Sequence, residues 1–152
     1  MQATIDHLQQ IIRIYSRRME ALSAEAYIRK PLPEKWSKQE MLGHLIDSAQ
    51  NNIRRFIVAQ YEETPAILYQ QDEWVELNGY QGYPVGDLIA LWRLLNLQIC
   101  RILSNMSPET AQRKCFMGGQ EPQALEWVAA DYCNHLLHHL HQILDLAPIA
   151  YP

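Results

Sequence analysis

Apolar residues recur along most of this chain at alternating spacings of three and four, the period of a helix buried along one side. In the first such segment Ile5, Leu8, Ile12, Tyr15, Met19 and Leu22 form a narrow seam. It runs out at YIRKPLPEKWS, where Pro31 and Pro33 break any helix. A second helix starts sharply, because Ser37 followed by Glu40 is a capping box that satisfies two of the first free backbone N–H groups. Leu42, Leu45, Ala49, Ile53 and Phe56 then mark its inner face until Pro65. Gly43 is read as a point of close approach for another helix. A third helix is predicted from about Gly86 to Met106, with Leu88, Leu91, Leu95, Ile99 and Ile102 inward. Pro122 suits the first turn of a fourth, which ends before Pro148.

Between the second and third helices, residues 67–84 are aromatic, polar and punctuated by Gly79, Gly82 and Pro84. A short extra helix is readable around QDEWVELN, with its ends undetermined. A connection this long within one domain is usually functional or covers something. Almost nothing reads as strand, and there is no internal repeat. The expectation is a single all-α domain over residues 1–152, a four-helix bundle with long crossover connections.

Charge narrows the partners. The formal net charge is −4, which argues against nucleic acid, since binding phosphates wants a basic face. No apolar run approaches the roughly 20 residues of a membrane span, and MQATIDHLQQ lacks the character of a secretory signal. Cys100, Cys115 and Cys133 are odd in number and form no CxxC pair, so free thiols in a reducing cytoplasm are expected.

The chemistry gathers in DYCNHLLHHLHQIL, where His135, His138, His139 and His141 occupy four of seven positions. Residues four apart on a helix stand about 40° from each other and one turn apart, so His135 and His139 can share a metal ion. His138 lies at the edge of that face, which Asp131 and Gln142 extend. Asp131 either orients the His135 ring or faces water. His141 points away and is read as a solvent-facing bystander, and Cys133 falls on the far side. Leu136 occupies the slot in which a zinc protease carries its glutamate, so this is no HExxH site.

A third ligand is normally required. His44 is the better candidate, because His44, Asp47, Ser48, Asn51 and Arg55 form a polar stripe at helical spacing; nothing marks His7. Spacing alone leaves a three-histidine site and a set of incidental histidines both open.

KWSKQEMLGHLIDSAQNNIRRF and DYCNHLLHHLHQIL together resemble the second-helix and last-helix signatures of the DinB/YfiT-like superfamily. The likeness spans nearly the whole chain in the right order. It implies an up-down-down-up four-helix bundle, often a homodimer, with a divalent metal, zinc or nickel, on His44, His135 and His139. Gln142 stands where some relatives place a further histidine. Characterised relatives include S-transferases and isomerases that use low-molecular-weight thiols.

Three readings follow. The first is a metal-dependent enzyme acting on a small molecule, a thiol S-transferase or related hydrolase, with Asn51 and Arg55 as candidate cofactor-binding residues. In it Tyr69, Trp74 and Tyr80 roof the cavity, and Arg54 is the alternative to Arg55. The second is a metal-bound, stress-related binding module without catalysis. The third is a structural dimeric bundle with incidental histidines. No catalytic residue is singled out.

Overall fold

The computed structural model describes residues 1–151. Four long helices carry the architecture: α1 (Gln2–Glu20), α3 (Lys38–Val58), α5 (Val85–Ser104) and α7 (Leu125–Ile143). The connections hold three short helices, α2 (Ala24–Ile28), α4 (Gln71–Asn78) and α6 (Pro108–Ala111), a 3₁₀ turn at Tyr80–Gly82, and a small antiparallel pair, β1 (Lys114–Cys115) with β2 (Gln123–Ala124).

α1 and α3 each pack on both α5 and α7, so helices consecutive among the long four, α1 with α3 and α5 with α7, lie across the bundle's diagonals. Contacts between them fix the directions. Gln39 at the start of α3 donates to the carbonyls of Tyr80 and Tyr83, just before α5 begins, so those two helices run parallel. Thr4 lies beside Cys133, and Tyr15 beside His141, so α1 and α7 are parallel too. His44 meets His135 while Arg55 shares a pocket with Val128, which makes α3 and α7 antiparallel. The result is the up-down-down-up bundle. It explains the long middle connection physically: two parallel neighbours require the chain to travel back along the ~30 Å of a 21-residue helix.

Local chemistry supports each element. Ser37 and Glu40 form the full capping box, with Glu40 Oε2 accepting from the Ser37 N–H at 2.8 Å. QDEWVELN is indeed helical and ends at Gly79, whose φ of 62° is a left-handed stop that costs glycine nothing. Arg113 donates to the carbonyls of Ala59 and Glu62, fastening the β1 strand to the end of α3, where backbone carbonyls lack helical partners. Lys38 pairs with Asp145 at 2.5 Å and ties the start of α3 to the end of α7.

The core runs through Leu8, Met19, Leu45, Trp92, Leu136 and Leu140, all fully buried. On α5 the inner seam is Leu88, Trp92, Asn96, Ile99 and Leu103, and Leu91, expected inward, is 41% exposed. The expectation followed the leucines, whereas the true seam passes through an asparagine that makes it look broken. Pro122 precedes β2 instead of opening α7, which begins at Leu125. Gly43 makes room not for a helix but for the Tyr80 ring: a Cβ there would sit 2.0 Å from Tyr80 Cδ2.

Candidate metal centre

His44 lies on the second turn of α3 and His135 and His139 on successive turns of α7, and the antiparallel pairing brings them together. One ring nitrogen from each lies within 4.8 Å of the others. The three rings meet edge to face, with centroids 4.7–5.1 Å apart and interplanar angles of 74–76°. His44 Nε2 and His135 Nε2 face each other at 3.0 Å. Three imidazole nitrogens this close together are the kind of set that could hold one divalent ion between them.

Burial holds these imidazoles neutral, as ligands must be. Desolvation, with neighbouring histidines adding to it, pushes His44 down to about 3 and His135 down to about 2, and lowers His139. His44 is 1% exposed and packs against Trp36, and its Nδ1 has no hydrogen-bond partner. That nitrogen points away from the cluster; it is Nε2 that faces His135, so two neutral imidazoles present the same kind of nitrogen to each other in a buried setting, where a shared cation would be stabilised. The donor set therefore fits a divalent metal.

Partners behind two of the rings set their orientation. His139 Nδ1 donates to Gln142 Oε1 at 3.0 Å, which leaves Nε2 as the lone-pair nitrogen. Gln142 Nε2 donates to His138 Nε2 at 3.0 Å, and His138 Nδ1 donates to the Ile149 carbonyl at 2.6 Å. Each link fixes the tautomer of the next. Gln142 is thus a backing partner of His139, and His138 stands one link further back. Ser48 Oγ, at 3.5 Å, is the partner of His135 Nδ1. Asp131 does not orient that ring; its Oδ2 accepts from Tyr151 Oη at 2.8 Å. His141 is no bystander: it bonds Tyr15 Oη at 2.8 Å and the Ala147 carbonyl at 2.7 Å, tying α1 to α7. His7 is exposed, and the three cysteines are free and buried, with Cys100 pushed up to about 11 and Cys133 to about 12 by desolvation.

His44 and His135 also line a cavity of about 250 Å³, whose walls include Ser48, Asn52, Arg55, Tyr69, Asp131 and Tyr151. Arg55 is on this wall, whereas Arg54 is exposed. Asn51 is absent from the wall and its amide donates to the Asp47 carbonyl. The reason is angular. Taking His44 as zero, Ser48, Arg55 and Asn52 fall at about +40°, +20° and +80°, toward α7, while Asp47 and Asn51 fall at about −60° and −20°. That second side is covered by Tyr80 and Asn78, which donate to Asp47 Oδ1 at 2.5 and 3.2 Å. Tyr69 therefore belongs to the cavity, Tyr80 to packing, and Trp74 braces Tyr69 edge-on at 5.5 Å. Asn52 was readable from the four-residue step 44–48–52; Tyr151, which packs edge-on to His135 at 5.4 Å, carries no local signal.

Fold and site together define a helical bundle with a three-histidine candidate site for a divalent metal. The chain belongs to the DinB superfamily, whose family model matches residues 7–143. It is 30% identical over 112 residues to "Putative metal-dependent hydrolase OB0782" of Oceanobacillus iheyensis, covering 73% of this chain and 64% of that protein. It is 27% identical over 118 residues to "Putative metal-dependent hydrolase YfiT" of Bacillus subtilis, covering 74% and 64%. The chain thus spans just under two thirds of the length of these curated relatives. The solved structure of YfiT from Bacillus subtilis, described as having an unusual four-helix bundle topology, superposes with a TM-score of 0.86 at 23% identity, over 95% of this chain and 83% of that one. The mycothiol-dependent maleylpyruvate isomerase superposes with a TM-score of 0.73 at 14% identity, over 98% and 61%.

Proposed function

We propose that this protein is a metal-dependent enzyme that acts on a small molecule, with zinc or nickel held by His44, His135 and His139. One observation carries the reading: two of the three converging imidazoles also form the wall of a polar cavity. A purely structural metal is closed off by four protein ligands, whereas three ligands beside a cavity leave a position for a reactant. A divalent ion there supplies a Lewis acid that makes a bound water or thiol more acidic. The chain's own residues do the rest. Gln142 and His138 hold the His139 tautomer, Ser48 and Asn52 offer polar contacts within the cavity, and Tyr69 and Tyr151 restrict water.

Hydrolysis is the reaction the curated relatives' names point to. Transfer of a low-molecular-weight thiol is the second reading, supported by the mycothiol-dependent neighbour and by the cationic Arg55 on the cavity wall. The homodimer belongs to the same proposal, and Leu91, Leu94 and Leu97 on α5 offer exposed apolar surface for it. Three free cysteines fit a cytoplasmic setting.

The test is elemental analysis of the untagged chain beside folded His44→Ala and His139→Ala variants. About one zinc or nickel per chain, lost in both variants, is expected for a three-ligand site. Ester and amide hydrolysis and thiol-to-electrophile transfer are then assayed on the loaded protein. A wild type that stays metal-free after supplementation with both metals overturns the reading.

A further inference from the structure

Arg55 is only 9% exposed, yet among the described residues no carboxylate pairs with it; the ion pairs present are Lys30–Glu40 and Lys38–Asp145. A guanidinium has five N–H donors. Nε and Nη2 donate to the Ile67 carbonyl at 3.2 and 3.1 Å, and Nη1 to Asn52 Oδ1 at 3.4 Å. One hydrogen on each terminal nitrogen is left without a protein acceptor, on a side chain that lines the cavity. Holding the Ile67 carbonyl does not call for a permanent charge, because any neutral donor of the same reach would serve. Burying a cation is costly unless an anion contacts it directly. Asp131 in the same cavity acts on Arg55 only through space: it makes no ion pair with it, and its Oδ2 accepts from Tyr151.

We propose that Arg55 is the anion-recognition residue of this cavity, and that the small molecule taken up beside the three histidines carries a carboxylate. The inference rests on the cavity being a substrate site, as proposed above, but not on the metal. Arg55 and His44 lie 11 residues apart, about 20° from each other around α3 and ~16 Å apart along its axis. Long side chains on a helix lean toward its N-terminus, so the guanidinium reaches back toward the histidines. A molecule lying along α3 therefore presents its carboxylate to Arg55 and another group to the histidine end. Planar, paired N–H groups match a carboxylate in geometry as well as charge.

The test uses the full chain, as purified and again after chelation, titrated with succinate and with its neutral isostere succinamide. Binding is followed by NMR of the arginine Nε–H and backbone amides. Succinate is expected to bind at least about tenfold more tightly than succinamide, the factor that one charge-assisted contact supplies. The preference persists after chelation, disappears in Arg55→Gln, and grows in Asp131→Asn, which removes the competing negative charge while keeping an acceptor for Tyr151. The Asp131 variant carries the test even if loss of the Ile67 contact unfolds Arg55→Gln. Equal binding of the two probes in the wild type, or an unchanged preference in Asp131→Asn, overturns the proposal. So does a preference that vanishes on chelation and survives in Arg55→Gln, since the metal alone would then hold the carboxylate. Failure of the metal reading looks different: no metal is retained, and the succinate preference stays.

Discussion

Tyr132 and His135 stand three residues apart on α7 and are buried in opposite ways. Tyr132 donates to Asn96 Oδ1 at 2.8 Å across the bundle, and Asn96 Nδ2 donates to the Trp92 carbonyl at 2.8 Å, so this polar set is closed within the chain. His135 faces another imidazole nitrogen at 3.0 Å, beside a His44 whose Nδ1 has no partner. Both sets pay desolvation. The first recovers it fully from protein groups, which makes it structural, while the second, though Ser48 and Gln142 hold two of its rings from behind, leaves converging Nε2 atoms for something from outside. An unpartnered atom alone does not mark the site, since Trp92 Nε1 and Asp47 Oδ2 in the scaffold also lack partners; what sets the second group apart is that three imidazoles converge beside a cavity.

The largest expected effect tests that separation directly. His139→Ala abolishes metal retention and leaves the metal-free chain about as stable as before. Asn96→Ala does the reverse: metal content is unchanged, and the orphaned Tyr132 hydroxyl costs about 2 kcal/mol. That is a fall in Tm of roughly 4–8 °C for a chain of this size. If Asn96→Ala empties the metal site, or His139→Ala unfolds the chain, the two sets are not independent.

A smaller effect is expected behind the ligands. Gln142→Ala removes the acceptor that fixes the His139 tautomer, and metal affinity measured by competition with a chelator should fall about 10–100-fold with the fold intact. No change would remove Gln142 from the site.

The smallest effect is in pH. His44 and His135 are lowered from 6.5 to about 3 and about 2 in the folded chain, so the unfolded chain takes up their protons first. The stability they contribute to the metal-free chain is complete above about pH 6.5 and is lost progressively as pH falls toward those folded values. Each group adds a slope of at most about 1.4 kcal/mol per pH unit. Urea midpoints between pH 7.5 and 5 should therefore decline in the chelated wild type. The decline should flatten in His44→Gln, whereas Tyr132→Phe, which changes only the closed set, should leave the slope as it was.

Much of this was legible before folding. The capping box at Ser37 and Glu40 was readable because it is a contact between residues three apart, and the His135–His139 pair because one helical turn places it. Local spacing also held the step from His44 to Ser48 and Asn52. What spacing misreads is direction around a helix whose neighbours are unknown. Asn51 and Asn52 are adjacent in sequence, yet one faces the Asp47 carbonyl and the other the cavity. Leu91 and Trp92 differ in the same way.

The four long helices, the capped start of α3 and the histidine turn of α7 follow from residues close together in the chain, because capping and amphipathic periodicity act over one or two turns, whereas the start of α7, which has no side-chain cap, is misread from sequence at Pro122. Only the tertiary structure decided which helix faces which. The diagonal placement of α1 against α3 and of α5 against α7 set α3 antiparallel to α7, carried His44 across 91 residues of sequence to His135, and brought Tyr151 and Ile149 back to the site. Those contacts depend on how the buried faces of all four helices fill space together, which no single stretch of residues encodes.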